Sequence, residues 1–171
     1  YNKVVYEPTM KVRDSFNLWA GFRAKQLPTF DKKKFERWSN HIFEVWADSD
    51  PKAYEYIINW FKWTVQKPSQ KTGKVILLID LMFGSGKGTI TEHFRECIFG
   101  RRHSTCIQKI EEMLGQFNSG LSHKNLVELP ELPTAKEDFR KFFNGWKSLI
   151  TDGIININEK NMKSRPETSY H

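Results

Sequence analysis

The sequence predicts an α/β fold: a small helical region over residues 1–70, followed over 71–171 by a core built on a parallel sheet. Three observations carry this. Two successive stretches before residue 70 space their apolar residues as amphipathic helices do. The run VILLI, Val75 to Ile79, is unbroken, apolar and largely β-branched, as in a strand buried on both faces of a parallel sheet. The pattern then passes through glycines at 84, 86 and 88 into another helical stretch, and a strand that feeds a helix is the unit from which α/β cores are made.

In chain order, Tyr1 to Tyr6 has the composition of a strand, which Glu7-Pro8 ends. FNLWAGF, Phe16 to Phe22, places three aromatic rings within one short segment and is expected to anchor onto a neighbouring core. A helix is predicted from Lys33 to Asp48, with Phe35, Trp38, Ile42, Phe43 and Trp46 on its apolar face and Asp31 as its N-cap. A second runs from Pro51 to Gln66 and is stopped by Pro68. It carries Tyr54, Ile57, Ile58, Phe61 and Val65 on one face and Tyr56, Trp60 and Trp63 on another, so both sides are expected to be covered. Base stacking by Trp60 or Trp63 is the alternative use of those rings. Lys67 to Lys74 is polar and turn-rich, and a boundary near residue 70 follows. After the strand comes a helix from Lys87 to Phe99, apolar at Ile90, Phe94 and Ile98 and ended by Gly100. A further helix, Ala135 to Thr151, would bury Phe139, Phe142, Phe143, Trp146 and Ile150. Ile155 and Ile157 then alternate with Asn156 and Asn158, the period of a strand entering a hairpin.

The turn Gly84-Ser85-Gly86-Lys87-Gly88-Thr89 sits between the predicted strand and helix, the context that makes a glycine-rich loop a phosphate site. Glycines let successive backbone amides point inward as an anion nest, and the helix start adds unsatisfied donors and partial positive charge. Lys87 would bridge terminal phosphates, and Thr89 or Ser85 would offer a hydroxyl to magnesium. The usual pattern begins with glycine five residues before the Gly-Lys pair, where this chain has Leu81.

Length and composition bound the rest. The 171 residues, 39% of them hydrophobic, suffice for one proper core. The chain opens on Tyr1 and is expected to be a piece of a longer polypeptide. Its longest apolar run falls well short of the roughly 20 residues that cross a bilayer, so no membrane role is expected. Cys97 and Cys106 have neither disulfide-scaffold nor zinc-ligand spacing and suit a reduced, intracellular setting. The net charge of +7 favours an anionic partner, although the cations are dispersed over 32–34, 67–74, 101–102 and 160–165, as on a well-solvated surface.

FNLWAGF, the helical pair ending in NWFKWTVQKP, and VILLIDLMFGSGKGTITEHFRECIFG together resemble the helicase half of viral, phage and plasmid primase-helicases, superfamily 3 helicases with an AAA+ type core. The likeness continues through LGQFNSGLSHKNLVELPELP and LITDGIININEKNMKSRPETSYH. It implies a P-loop NTPase core, with residues 1–70 as a collar or lid, that binds ATP and magnesium through Gly84, Ser85, Gly86, Lys87, Gly88 and Thr89 and hydrolyses ATP. By the same resemblance, KNLVELPELP (Lys124 to Pro133) is the strand of the second nucleotide motif. Glu131 would polarise the attacking water and, with Thr89, serve the metal, while Pro130 stands where an aspartate or asparagine usually helps. Glu128 is nearby, but its alternation with Val127 and Leu129 points it away. The hairpin residues Lys160, Asn161, Lys163 and Arg165 would grip single-stranded DNA inside a hexameric ring. A primase region would share the polypeptide, and the protein would act inside a host cell. The sensor residue and the arginine supplied to a neighbouring subunit have no counterpart here.

Two other readings remain at this point. Leu81 and Pro130 suit a degenerate module that keeps the fold but has lost hydrolysis. The turn also resembles that of nucleoside monophosphate kinases, which need lid arginines; after Gly100 the chain has Arg101, Arg102, Arg140 and Arg165.

Overall fold

Two carboxylates start the N-terminal helices. Asp31 accepts the Lys34 amide at 3.2 Å and Asp50 the Lys52 amide at 2.9 Å, satisfying first-turn donors of α1 (Lys32–His41) and α2 (Pro51–Gln66). The structure, a computed structural model, describes residues 3–9, 12–80, 84–132 and 136–171, with 136–141 described by backbone alone. The first helix departs from its expected form after His41, where it widens into a π-helical turn, Ile42–Trp46. Asp48 and Ser49, both at positive φ, then reverse the chain into α2.

The widened turn puts Ile42 in a core that the helical pair shares with the helix after the glycines. Ile42, Ala47, Ile57 and Phe61 meet Ile90, Phe94 and Phe99. The latter three come from α3 (Lys87–His93) and its π-helical continuation Phe94–Phe99, which Gly100 ends at φ 78°. The Phe61 and Phe94 rings stack with centroids 3.9 Å apart. Fully burying each such side chain is worth about 1.5–3 kcal/mol, so this contact is a principal reason the helical pair stays on α3. On the second face of α2, Trp60 and Trp63 donate to the carbonyls of Lys74 (3.1 Å) and Gln70 (3.2 Å), folding the polar segment back onto the helix. Tyr56 stays 54% exposed, so that face is only partly covered.

Among the described residues, parallel pairing is present in two short ladders. β1 (Lys3–Val5) lies beside β2 (Ser15–Asn17), and β3 (Ser104–Cys106) beside β4 (Leu126–Glu128). The aromatic anchor works through Trp19, packed on His103 at 4.3 Å, and Phe22, packed on Phe99 at 4.5 Å, whereas Phe16 is half exposed. The strand expected over 75–79 is not formed, and it pairs with no strand among the described residues. Instead of being buried on both sides, the run alternates: Ile76 and Leu78 are half buried, Val75 and Leu77 are exposed, and Ile79 is 81% exposed. An apolar, β-branched composition makes an extended chain favourable but cannot supply the neighbouring ladder that a buried strand needs.

A second core joins Ile107, Met113, Leu121, Phe142, Ile155 and Ile157. It sits among α4 (Glu111–Leu114), α5 (Lys136–Thr151) and the antiparallel hairpin β5 (Ile154–Ile157) with β6 (Arg165–Thr168). On α5, Phe142 is buried and stacks on Trp146 at 5.0 Å, but the neighbouring Phe143, expected inside, is 52% exposed. Adjacent helical positions differ by about 100° in direction, so one buried stripe cannot take both. Leu81, Pro133 and Ala135, and the side chains of Phe139 and Arg140, lie outside the described residues. Among the described residues no helix is long and apolar enough to cross a membrane.

Candidate functional site

Gly84 (φ 80°) and Gly86 (φ 87°) both adopt the left-handed conformation, with Ser85 between them. Such alternation is accessible to glycine without steric cost and turns the backbone sharply into α3. Lys87, the first residue of that helix, folds its ammonium back over the turn, 3.2 Å from Ser85 Oγ and 2.6 Å from Asp80 Oδ2. Gly84, Gly88 and Thr89 face solvent, and Ser85, Gly86 and Lys87 are half buried. The turn is braced from behind. His41 Nε2 donates to the Gly86 carbonyl at 2.9 Å, and Trp46 Nε1 donates to the Lys87 carbonyl at 3.2 Å. Asp80, His41 and Trp46 are contacts that the sequence did not single out. Asp80 adjoins the turn and was legible in principle; the other two lie some forty residues upstream, with no local signal.

Of the acidic residues in the stretch Lys124 to Pro133, Glu128 reaches α3. Its carboxylate accepts from Thr91 Oγ1 at 2.7 Å and from Arg95 Nε at 3.1 Å, while Val127 and Leu129 pack into the second core. The alternation therefore turns Glu128 toward the helix after the glycines. Arg95 continues the chain of charges to Glu96 (2.6 Å), which also pairs with Arg101 (2.9 Å). The Arg101 hydrogen bond holds the Glu96 carboxyl below its usual value, and that bond raises Arg101 in return. Pro130 and Glu131 follow β4 as exposed residues. The open concavity beside Arg95, Glu96, Arg101 and Lys124 does not include the glycine turn. Among the described residues no three His, Cys, Asp or Glu side chains converge as a metal site, so a magnesium ion here would need oxygens of a bound phosphate beside those of Thr89, Ser85 or Asp80.

At the hairpin, Lys160, Asn161 and Lys163 are exposed in the loop between β5 and β6, with Asn161 at φ 64°. Arg165 differs from them: it is held by Glu159 at 2.6 Å and Glu167 at 2.9 Å, and these carboxylates raise its pKa. It braces the base of the loop.

The fold is similar to that of solved structures of the C-terminal region of NrS-1. The apo structure of its residues 305–718 superposes with a TM-score of 0.77 at 24% identity, covering 98% of this chain and 40% of that one. Two A-form apo structures of the same region give TM-scores of 0.70 and 0.65 at 24% and 22% identity. The chain therefore spans about two fifths of the length of the structures it matches, covering 40%, 40% and 39% of them. Among curated proteins there is no match. Residues 82–171, from just before the first turn glycine onward, match the model of a family of unknown function, DUF5906, and the chain belongs to that family.

Proposed function

We propose that this chain is the ATP-driven motor part of a replicative helicase of the superfamily 3 type, a P-loop NTPase that moves along single-stranded DNA as a hexameric ring beside a primase region of the same polypeptide. The observation that carries the reading is the turn itself: left-handed Gly84 and Gly86, with the Lys87 ammonium curled to 3.2 Å from Ser85 Oγ. First-turn amides of α3, which have no intrahelical acceptor, and the lysine charge adjoin each other at this turn, a combination that suits a polyphosphate.

The Lys87–Asp80 pair does not oppose this. Both side chains are partly exposed, at 33% and 20%, and such surface pairs are worth about 0–1 kcal/mol, so a triphosphate of several charges can displace the carboxylate. Lys87 would then stabilise charge developing on the transferred phosphoryl group. Thr89 and Ser85 would present hydroxyls to the magnesium that accompanies ATP, which neutralises phosphate charge. Glu131 would orient the attacking water. Lys160, Lys163 and Asn161 would meet the phosphate backbone of the strand without regard to its sequence, with Arg165 holding the loop in shape.

The test is ATP turnover by the full-length protein, with and without single-stranded DNA, in wild type and Lys87→Ala. The expected result is strand-stimulated turnover that falls roughly 100- to 1,000-fold in the variant. Absence of stimulated turnover in the wild type, or a variant as active as wild type, would remove the motor. One second reading has its own support: Glu128 is committed to Thr91 and Arg95, and Pro130 offers no side-chain ligand, as in a module that binds nucleotide without hydrolysing it. Tight ATP binding without turnover would select it.

A further inference from the structure

We propose that His41 and Trp46 are positioning residues for the nucleotide: they fix the orientation of the two consecutive peptide planes whose amides face the phosphate. The inference rests on the nucleotide reading of the glycine turn and adds to it the parts that hold the turn in register.

The argument is geometric. In a trans peptide the carbonyl of one residue and the N–H of the next point in opposite directions, and no described peptide bond is cis. The Gly86 carbonyl is engaged by His41 Nε2 at 2.9 Å, which turns the Lys87 amide away from the helical pair. The next carbonyl, of Lys87, is engaged by Trp46 Nε1 at 3.2 Å, which turns the Gly88 amide the same way. These amides belong to the first turn of a helix and have no intrahelical acceptor, so they are the ones an anion can use. A carbonyl only accepts, so His41 must carry its proton on Nε2, and the indole can only donate. Both side chains are themselves fixed. His41 ends α1 and Trp46 ends the π-helical turn that follows, and Trp46 packs on Phe61 with ring centroids 5.7 Å apart. The approach at Gly86 is close: a Cβ there would lie 2.9 Å from His41 Cε1, so glycine is needed for contact as well as for its φ of 87°.

The functional consequence is preorganisation. A glycine turn has many backbone states, and one whose peptide planes are held before the ligand arrives loses less entropy on binding. Removing either donor should leave the fold in place and weaken phosphate binding specifically.

The experiment uses the full-length protein and fluorescent N-methylanthraniloyl ATP and AMP as probes, with thermal unfolding of each variant as a control. Trp46→Phe keeps the apolar ring and deletes the donor; His41→Ala deletes the other donor, and His41→Gln returns an N–H at the same reach. Each deletion is expected to weaken ATP binding about three- to tenfold, the range for one or two hydrogen bonds, with His41→Gln near wild type and AMP affected less than ATP. Wild-type ATP affinity in both Trp46→Phe and His41→Ala, while Lys87→Ala abolishes binding, would overturn this inference and leave the nucleotide reading standing. No ATP binding by the wild type would overturn both. If Trp46→Phe proves unfolded, the His41→Ala and His41→Gln pair decides alone: loss without rescue by glutamine counts against a hydrogen-bonding role.

Discussion

At the scale of single residues, the glycine turn separates two kinds of constraint that the sequence merges. Gly84 and Gly86 share a left-handed φ, but a Cβ at Gly84 meets nothing within 4 Å, whereas one at Gly86 meets the His41 ring. Gly84→Ala should therefore cost about 1 kcal/mol from backbone strain alone. Gly86→Ala should cost about 1 kcal/mol more, because the His41 hydrogen bond is lost as the ring moves away. Urea unfolding of the two variants measures the difference, and equal costs would show that the His41 contact contributes nothing to stability. The need for glycine at both positions was legible in the sequence from the motif. The histidine was not, because an imidazole that closes on a carbonyl forty-five residues away leaves no periodicity to read.

At the scale of elements, legibility followed how local the determining forces are. Asp31 before α1 and Pro51 at the start of α2 act within one helical turn: α2 begins at Pro51 as the sequence places it, and α1 at Lys32, one residue before the Lys33 expected. The hairpin was also readable, because Ile155 and Ile157 point to one face and are buried there. Two elements were misread for the same reason: composition describes a side chain's preference, while the partner is supplied by tertiary structure. Val75 to Ile79 has the composition of a central strand but no ladder to join among the described residues. Phe142 and Phe143 are equally apolar, but only Phe142 faces the second core. Phe142→Ala should accordingly cost about 3–5 kcal/mol, and Phe143→Ala under about 1 kcal/mol. Denaturant midpoints of the two variants check this, and similar losses would place both rings inside.

At the scale of the whole molecule, polar ties bind the chain's ends and middle. Lys71 donates to the Asp152 carbonyl at 2.8 Å and Ser169 Oγ at 2.7 Å, and burial lowers its pKa to about 8. Tyr6 donates to Asn125 Oδ1 at 2.6 Å and lies 2.7 Å from His103 Nδ1, while Asn125 donates to the Pro68 carbonyl at 2.7 Å. His103 and His171 are lowered from 6.5 to about 4, chiefly by burial. An unfolded chain takes up protons at these histidines below pH 6.5 that the folded chain refuses until about 4, so stability falls as pH falls across that window. Asp31, Glu96 and Asp152 are also held below their usual values, by the Lys34 amide, Arg101 and Ser148 respectively, and what they contribute is present above the ordinary carboxylate range and lost as acid protonates them. Both effects have the same sign. Unfolding midpoints should drop in two stages on acidification, and the first stage should shrink in His103→Gln; a midpoint flat between pH 6.5 and 4 would show that the two buried imidazoles are not neutral.

The run at 75–79, which joins no ladder among the described residues, also bears on how the molecule behaves in company. Five consecutive aliphatic residues without proline or glycine are the composition from which cross-β stacks nucleate, and here Val75, Leu77 and Ile79 present themselves to solvent. Lys74 and Asp80 bracket the run with opposite charges, and flanking charges of this kind oppose such stacking, so neutralising the pair should make the protein clump sooner on warming.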